Sequence, residues 1–155
     1  MTVARIFTPE NRLAKILEAI QAPTAAELIA DAESRVEALG DAIRTYVAEK
    51  LEEIRAFAEQ SEDVLFAECR TLGETAMNVA EVAGAAGLEA VGEVARGISA
   101  MVDNLISSGV WHTDALRLHL DALALVNASG GGMTPENEVI LMRLRGMREA
   151  VGVVE

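Results

Sequence analysis

The feature that most constrains this fold is a helical repeat that runs from Thr24 to about Gln60. It begins with "TAAE", residues 24–27, a capping box in which a threonine and a glutamate satisfy each other's unpaired backbone N–H groups. Apolar residues then recur every three or four positions, which is the spacing of one face of a helix and not of a strand. The chain is therefore predicted to contain one long helix. The apolar positions are Leu28, Ile29, Val36, Leu39, Ile43, Val47, Leu51, Ile54, Phe57 and Ala58.

The remaining sequence is predicted to form further helices, so that the fold class is all-α. Aromatic residues make up only 3% of the 155 residues, while 51% are apolar, which favours packed helices over a twisted sheet. Ser61, followed by two acids, favours a break near residues 60–63, and the alternative is one longer helix that continues through it. Gly87 predicts a left-handed helix end. The other predicted helices cover about 8–21, 61–87, 88–107, 113–127 with Thr113 as its cap, and 135–151.

Four helices joined by short connections between residues 24 and 127 predict an up-and-down four-helix bundle. Residues 1–23 and 135–155 are predicted to add an N-terminal and a C-terminal helix. Residues 128–134, rich in glycine, read as a flexible linker. The last helix carries Arg143, Arg145 and Arg148. We expect it to pack on its own bundle with the arginines against the acidic surface; a detached or exchanged helix is the alternative.

Charge and cysteine content exclude several classes of function. A net charge of −12 argues against nucleic acid and anionic membranes as partners, because both are bound through lysine and arginine. Cys69 is the single cysteine, and no His/Cys cluster has metal-ligand spacing. No apolar run is long enough for a signal peptide or a membrane span. We therefore expect a cytoplasmic protein without metal or cofactor.

The segment "AMNVAEVAGAAGLEAVG", residues 76–92, and the helices around it resemble the histidine phosphotransfer domains. The resemblance covers roughly residues 64–127 and implies a four-helix bundle that binds receiver domains. Aligning Gly87 with the turn glycine of that family places Met77 at the phosphoacceptor histidine, Ala80 at the lysine and Glu81 at the first glycine. A thioether cannot accept a phosphoryl group as imidazole does. The resemblance therefore implies a pseudo-phosphotransfer domain.

A second similarity concerns "WHTDALRLHLDAL", residues 111–123. This run, together with the preceding small residues, is similar to small acidic helical accessory proteins encoded among chemotaxis genes of alphaproteobacteria. The similarity implies a signalling pathway and no particular activity. Within this run, Trp111 is expected to close one end of the bundle.

Met77, Ala80, Glu81 and Gly84 fall on one helix face, because positions three and four apart are neighbours. They are the predicted partner-binding residues of a non-catalytic adaptor, with the small residues allowing close approach of a receiver. The alternative interpretation is that these residues seat a neighbouring helix of the same bundle.

Two other functions stay open. Glu74 and Asn78, at i and i+4, match the acid and amide pair that some aspartyl-phosphate phosphatases use to anchor a receiver lysine and orient water. His112 and His119 are minority candidates for phosphoacceptors, although a hydrogen-bonded structural role fits His119 better. A structural, self-associating protein is the third possibility, with a homodimer formed through the long helix and the last helix.

Overall fold

A computed structural model describes residues 23–153, and all of the regular structure in that range is helical. The prediction of an all-α fold is confirmed for these residues. The predicted helix at about 8–21 lies outside them. The helices are α1 (Ala25–Ala58), α2 (Glu62–Ala67), α3 (Cys69–Val82), a short 3-10 helix (Ala83–Ala86), α4 (Glu89–Ser108), α5 (Thr113–Ala128) and α6 (Pro135–Ala150).

The chain divides into two units, Met1–Glu37 and Ala38–Glu155. The described part of the first unit begins with the predicted capping box. The backbone N–H of Thr24 donates to Glu27 Oε2 at 2.7 Å, and the backbone N–H of Glu27 donates to Thr24 Oγ1 at 3.2 Å. The carboxylate of Glu27 accepts from the backbone N–H of Thr24 and also from the Thr24 hydroxyl, at 2.9 Å, and these two hydrogen bonds lower the pKa of Glu27. The predicted start of α1 is therefore confirmed.

The second unit is organised around α4, which packs against α3, α5 and α6. The apolar face of α4 is fully enclosed, and α1 reaches the same core through the last third of its length. This arrangement makes the C-terminal helix part of the core and not a detached segment. The core side chains include Val47, Leu51 and Ile54 of α1, Leu72, Ala76 and Val79 of α3, Val91, Val94, Ile98 and Met101 of α4, Leu116, Leu120 and Leu123 of α5, and Leu144 of α6.

Helix ends follow the sequence signals at some positions and depart from them at others. Ser61 precedes α2 as its N-cap, which confirms the predicted break, and Gly87 has the predicted left-handed conformation with φ 74°. The single helix expected over 61–87 is wrong, because the chain breaks again at Glu68. Thr113 was expected to cap α5, but His112 is the N-cap and the Thr113 hydroxyl instead donates to Glu62.

The glycine-rich connection before α6 is hydrogen-bonded to both helices that it adjoins, α4 and α6. The carbonyl of Gly131 accepts from the backbone N–H groups of Ala90 and Val91 at 3.0 and 3.3 Å. Two N–H groups at the start of α4 would otherwise lack a partner inside their own helix. Asn137 Nδ2 donates to the carbonyl of Gly132 at 2.8 Å and ties the connection to α6. The start of α6 is thereby fixed to the start of α4.

Candidate functional site

The outward side of α3 carries most of the residues that the sequence singled out. Helix α3 directs Leu72, Ala76 and Val79 into the core, so that residues on the opposite side face outward. Glu74, Asn78, Glu81 and Gly84 are exposed, and Met77 is half-buried. We call these five residues the α3 strip. Along α3, Met77 and Asn78 each lie three or four positions from both Glu74 and Glu81, so these side chains share one face. Gly84 follows three residues after Glu81, in the 3-10 helix that continues from α3.

Ala80, the remaining predicted partner-binding residue, does not belong to the exposed strip. It is only 7% exposed and belongs to the core cluster. A Cβ built on Gly92 of α4 would lie 3.6 Å from the carbonyl oxygen of Ala80, so the two helices approach closely there. The interpretation that small residues seat a neighbouring helix therefore describes Ala80. The expectation that Ala80 presents an open contact surface is corrected by its burial against α4.

Gly84 has the opposite environment. It is exposed, its φ lies outside the left-handed region, and a Cβ added to it would meet no atom within 4 Å. Neither internal packing nor backbone conformation requires a glycine at this position. Since glycine costs about 1 kcal/mol relative to alanine in a helical segment, its presence here fits a surface that something else approaches closely.

A groove of about 250 Å³ runs beside the strip, between α3 and α4. Its α3 wall is formed by Arg70, Gly73, Glu74 and Met77, and its α4 wall by Ser99, Val102, Asp103 and Ile106. The side chains of Glu74 and Asn78 make no hydrogen bond to any described residue. The strip thus combines two uncommitted polar side chains, a half-buried thioether and an exposed glycine.

His119 lies in the core, with 0% of its surface exposed. Its Nδ1 lies 2.9 Å from the carbonyl oxygen of Ala115, and its Nε2 lies 3.2 Å from Nη1 of Arg148. A carbonyl only accepts and a guanidinium only donates, so these partners assign the proton to Nδ1 and the lone pair to Nε2. Both nitrogens are engaged, and neither is accessible to a phosphoryl donor.

Burial lowers the pKa of His119 below its ordinary value, because an enclosed imidazolium loses hydration. The hydrogen bond to Ala115 opposes this shift, and the positive charge of Arg148 adds to it. The histidine is therefore held neutral, as the hydrogen bond from Arg148 requires.

The expectation that the arginines of the last helix lie against the acidic surface is wrong for Arg148. It is 6% exposed and inserts beside His119, opposite Gly97 of α4, while Arg143 and Arg145 remain exposed. A Cβ on Gly97 would lie 2.5 Å from Arg148 Nη1 and 3.1 Å from His119 Cδ2. The contact was missed at the sequence level. A mid-helix glycine in α4 was the available signal, because such a residue usually marks close packing.

His112 and Trp111 line a cavity of about 730 Å³ at the start of α5. The Trp111 ring packs edge-to-face against Phe66, with ring centroids 5.9 Å apart and an interplanar angle of 87°. Arg117, in the same cavity wall, donates to the carbonyl oxygens of Ala58 and Gln60 at 3.1 and 2.8 Å. These contacts join the ends of α1, α2 and α5, in keeping with the expected role of Trp111.

The described residues 23–153 contain no group of three or more His, Cys, Asp or Glu side chains arranged to hold a metal ion. Within the same range, none of the helices combines the length and the apolar character needed to traverse a bilayer. Cys69 is half-buried at the start of α3 and forms no disulfide.

Comparison with known proteins adds no relative: no family model, curated protein or solved structure matches this chain.

Proposed function

We propose that this protein is a non-catalytic helical adaptor of bacterial two-component or chemotaxis signalling, which binds a receiver domain through the α3 strip in the cytoplasm. The observation that carries the proposal is that Gly84 is open at its Cβ position and lies beside the exposed Glu81, on the face that the resemblance assigns to receiver binding. A helical glycine with no neighbour within 4 Å of its Cβ position gives up stability without any internal packing benefit. Close approach of a partner backbone would account for it.

The proposed mechanism is occupancy of the receiver without transfer of phosphate. Met77 stands where the resemblance places the phosphoacceptor histidine, and its sulfur forms no stable phosphoryl adduct. The exposed carboxylates of Glu74 and Glu81 flank it and would repel a phosphoryl group. His119, the buried histidine, offers no alternative acceptor because both of its nitrogens are hydrogen-bonded.

The proposed architecture is an up-and-down four-helix bundle with additional helices at both ends. Its four members would be α1, α2 together with α3, α4, and α5. Support comes from the packing of α4 against both α3 and α5, and from the core residues that α1 contributes through Val47, Leu51 and Ile54. Helix α6 would then be an addition that covers part of α4.

The test compares two exposed glycines, Gly84 in the 3-10 helix of the strip and Gly146 in α6. Gly84 and Gly146 are both exposed and helical, and neither has an atom within 4 Å of its Cβ position. Replacement of either by glutamine should leave folding intact. The Gly84→Gln variant should bind a phosphorylated receiver of the source organism about tenfold more weakly or worse in calorimetric titration, because a side chain would separate two surfaces in contact.

The Gly146→Gln variant should bind with unchanged affinity. If the two variants bind equally well, or if no receiver binds the unmodified protein, the proposed docking surface is excluded. Stable transfer of labelled phosphate from the receiver to His112 would contradict the non-catalytic mechanism while leaving the binding surface in place.

The exposure of Glu74 and Asn78 supports a second candidate, a phosphatase of receiver aspartyl phosphate. Their side chains lie one helical turn apart and make no hydrogen bond to described residues, so both are available to a docked receiver. In this mechanism Glu74 would anchor the receiver lysine and Asn78 would orient the attacking water.

Asn78→Ala should then abolish accelerated release of phosphate from the receiver while leaving binding largely unchanged. Glu93→Ala, which removes an acid from α4, serves as a control and should retain full acceleration. A receiver whose phosphate is lost equally fast with and without this protein would eliminate the phosphatase candidate.

A further inference from the structure

Ser99 of α4 carries a buried hydroxyl without a partner among the described residues. It is only 4% exposed, and it lines the groove between α3 and α4. A hydroxyl within a helix often donates to the carbonyl four residues earlier, as that of Thr75 does to Thr71 at 2.8 Å. Ser99 forms no such bond, nor any other to a described residue. Buried polar groups are nearly always paired, so this hydroxyl is a candidate contact for a bound group.

The charged side chains of the groove favour a cation. Glu74 lies in the α3 wall and Asp103 in the α4 wall, and both are exposed. Neither carboxylate forms an ion pair or a hydrogen bond with a described residue. Arg70, in the α3 wall, is likewise unpaired within the described range. Two carboxylates against one guanidinium leave the groove negative, which attracts positive charge and repels anions.

The remaining lining is apolar and held in place by the core. Met77 contributes to the α3 wall, and Val102 and Ile106 contribute to the α4 wall. A Cβ on Gly73 would lie 2.9 Å from Val102 Cγ1, so the two helices are in tight contact at the groove. The volume of about 250 Å³ is smaller than the roughly 300–1,000 Å³ of pockets that hold drug-sized molecules. The groove therefore suits a single extended side chain with an apolar stem.

An alkylammonium group combines such a stem with a matching head. Its ammonium has three N–H donors, and the groove offers the Ser99 hydroxyl and the carboxylates of Glu74 and Asp103 as acceptors. A planar guanidinium spreads five donors over a rigid fork and would leave more of them unpaired. We infer that this groove binds an alkylammonium group, supplied by a lysine side chain of the protein that docks on the α3 strip. The identity of that protein rests on the proposed function, whereas the affinity of the groove for an ammonium group does not.

Titration with n-butylammonium chloride tests the groove in the absence of any protein partner. The methyl signal of Met77, followed by NMR at constant chloride concentration, should shift and saturate in the millimolar range. Ser99→Ala and Asp103→Asn should each weaken binding about tenfold, because each removes an acceptor of the ammonium. Arg70→Gln should strengthen binding about threefold, since a competing positive charge is lost.

Two controls separate recognition of the ammonium from general effects of charge and of apolar contact. Asp121→Asn makes the same charge change at an exposed position of α5 and should leave the affinity within about twofold of the unmodified value. 1-Butanol has the same apolar stem without the charge and should give no saturable shift of Met77. A Met77 signal that does not saturate with n-butylammonium, or that responds equally to 1-butanol, would overturn the inference. Equal losses in Asp103→Asn and Asp121→Asn would do the same.

Binding of a phosphorylated receiver, measured by calorimetric titration, separates this inference from the proposed function. Asp103→Asn should weaken the complex about tenfold, whereas Asp121→Asn should leave it unchanged. A receiver that binds Asp103→Asn as tightly as the unmodified protein would overturn the lysine assignment and leave the docking surface in place. A receiver that binds neither protein would exclude the proposed function, while saturable binding of n-butylammonium would still establish the ammonium site.

Discussion

The α3 strip and the contact between α4 and α6 are each built around a helical glycine, yet the two glycines do different things. Gly97 faces Arg148 and His119, and a Cβ there would lie 2.5 Å from the guanidinium. Gly84 faces open space. The comparison teaches that a glycine within a helix reports a close approach without saying whether the approaching group belongs to the same chain. Gly97 is explained by an internal partner, whereas no described residue approaches the Cβ position of Gly84.

The largest effect on stability is expected at the buried contact between α4 and α6. Arg148→Ala should lower the free energy of unfolding by about 3 kcal/mol, because it empties part of the core and leaves His119 Nε2 buried without its donor. Denaturant unfolding followed by circular dichroism measures the loss. Arg143→Ala, on the exposed side of α6, should change stability by no more than about 0.5 kcal/mol. Equal losses in the two variants would show that the buried contact contributes nothing specific.

The next largest effect on stability is expected when Gly97 or Gly84 is replaced by alanine. Gly97→Ala should cost about 2 kcal/mol, because its methyl group collides with the guanidinium and the imidazole. Gly84→Ala should be neutral or stabilise the protein by up to about 1 kcal/mol, through better helix propensity alone. The same unfolding assay measures both. A substantial loss of stability in Gly84→Ala would mean that an internal contact occupies the α3 strip.

A double variant tests whether Arg148 is the reason that position 97 must be glycine. In the Arg148→Ala background the guanidinium is absent, so the additional cost of Gly97→Ala should shrink by at least about 1 kcal/mol. Purely additive losses would separate the glycine from the arginine and contradict the close approach described for α4 and α6.

The smallest expected effect is on the pH dependence of stability. His119 has a pKa below its ordinary value of 6.5 in the folded protein, so the unfolded chain binds a proton first as the pH falls. Keeping His119 neutral therefore stabilises the folded protein, and this contribution is fully present above the pKa that His119 has in the unfolded chain. It declines as the pH falls from about 7.5 to 5.5, an interval that spans the ordinary pKa of histidine.

Unfolding curves of the unmodified protein, His119→Gln and His112→Gln over that interval separate this contribution from that of the other histidine. His119→Gln should lose the dependence, and His112→Gln should keep it. A slope that survives in His119→Gln would show that another group is responsible.

How much of the molecule the sequence predicts depends on which interactions are local. Capping by Thr24, the turn at Gly87 and the break at Ser61 arise within a few residues, and each was predictable. The break at Glu68 has no glycine or proline to announce it. The pairing of His119 with Arg148 joins residues 29 positions apart. Burial of an arginine contradicts its usual surface preference, so nothing in the sequence around Arg148 indicates it; Gly97 indicates a close approach but not its partner.

The same limit applies to the candidate site. Helical periodicity placed Met77, Ala80, Glu81 and Gly84 on one face. It could not decide where the neighbouring helix α4 crosses that face. The close approach of Gly92 settles the matter by covering Ala80 and leaving Glu81 and Gly84 open. The outward strip is thus narrower than the face that the sequence indicated.

The most direct test of receiver docking on the α3 strip uses methyl resonances of the methionines as reporters. The chain has six methionines; Met77 lies in the strip, Met101 is buried, and Met133 and Met142 are exposed outside it. On addition of a phosphorylated receiver, the account predicts a shifted or broadened Met77 signal with Met133 and Met142 unchanged. An unchanged Met77 signal alongside shifts at Met133 or Met142 would contradict it.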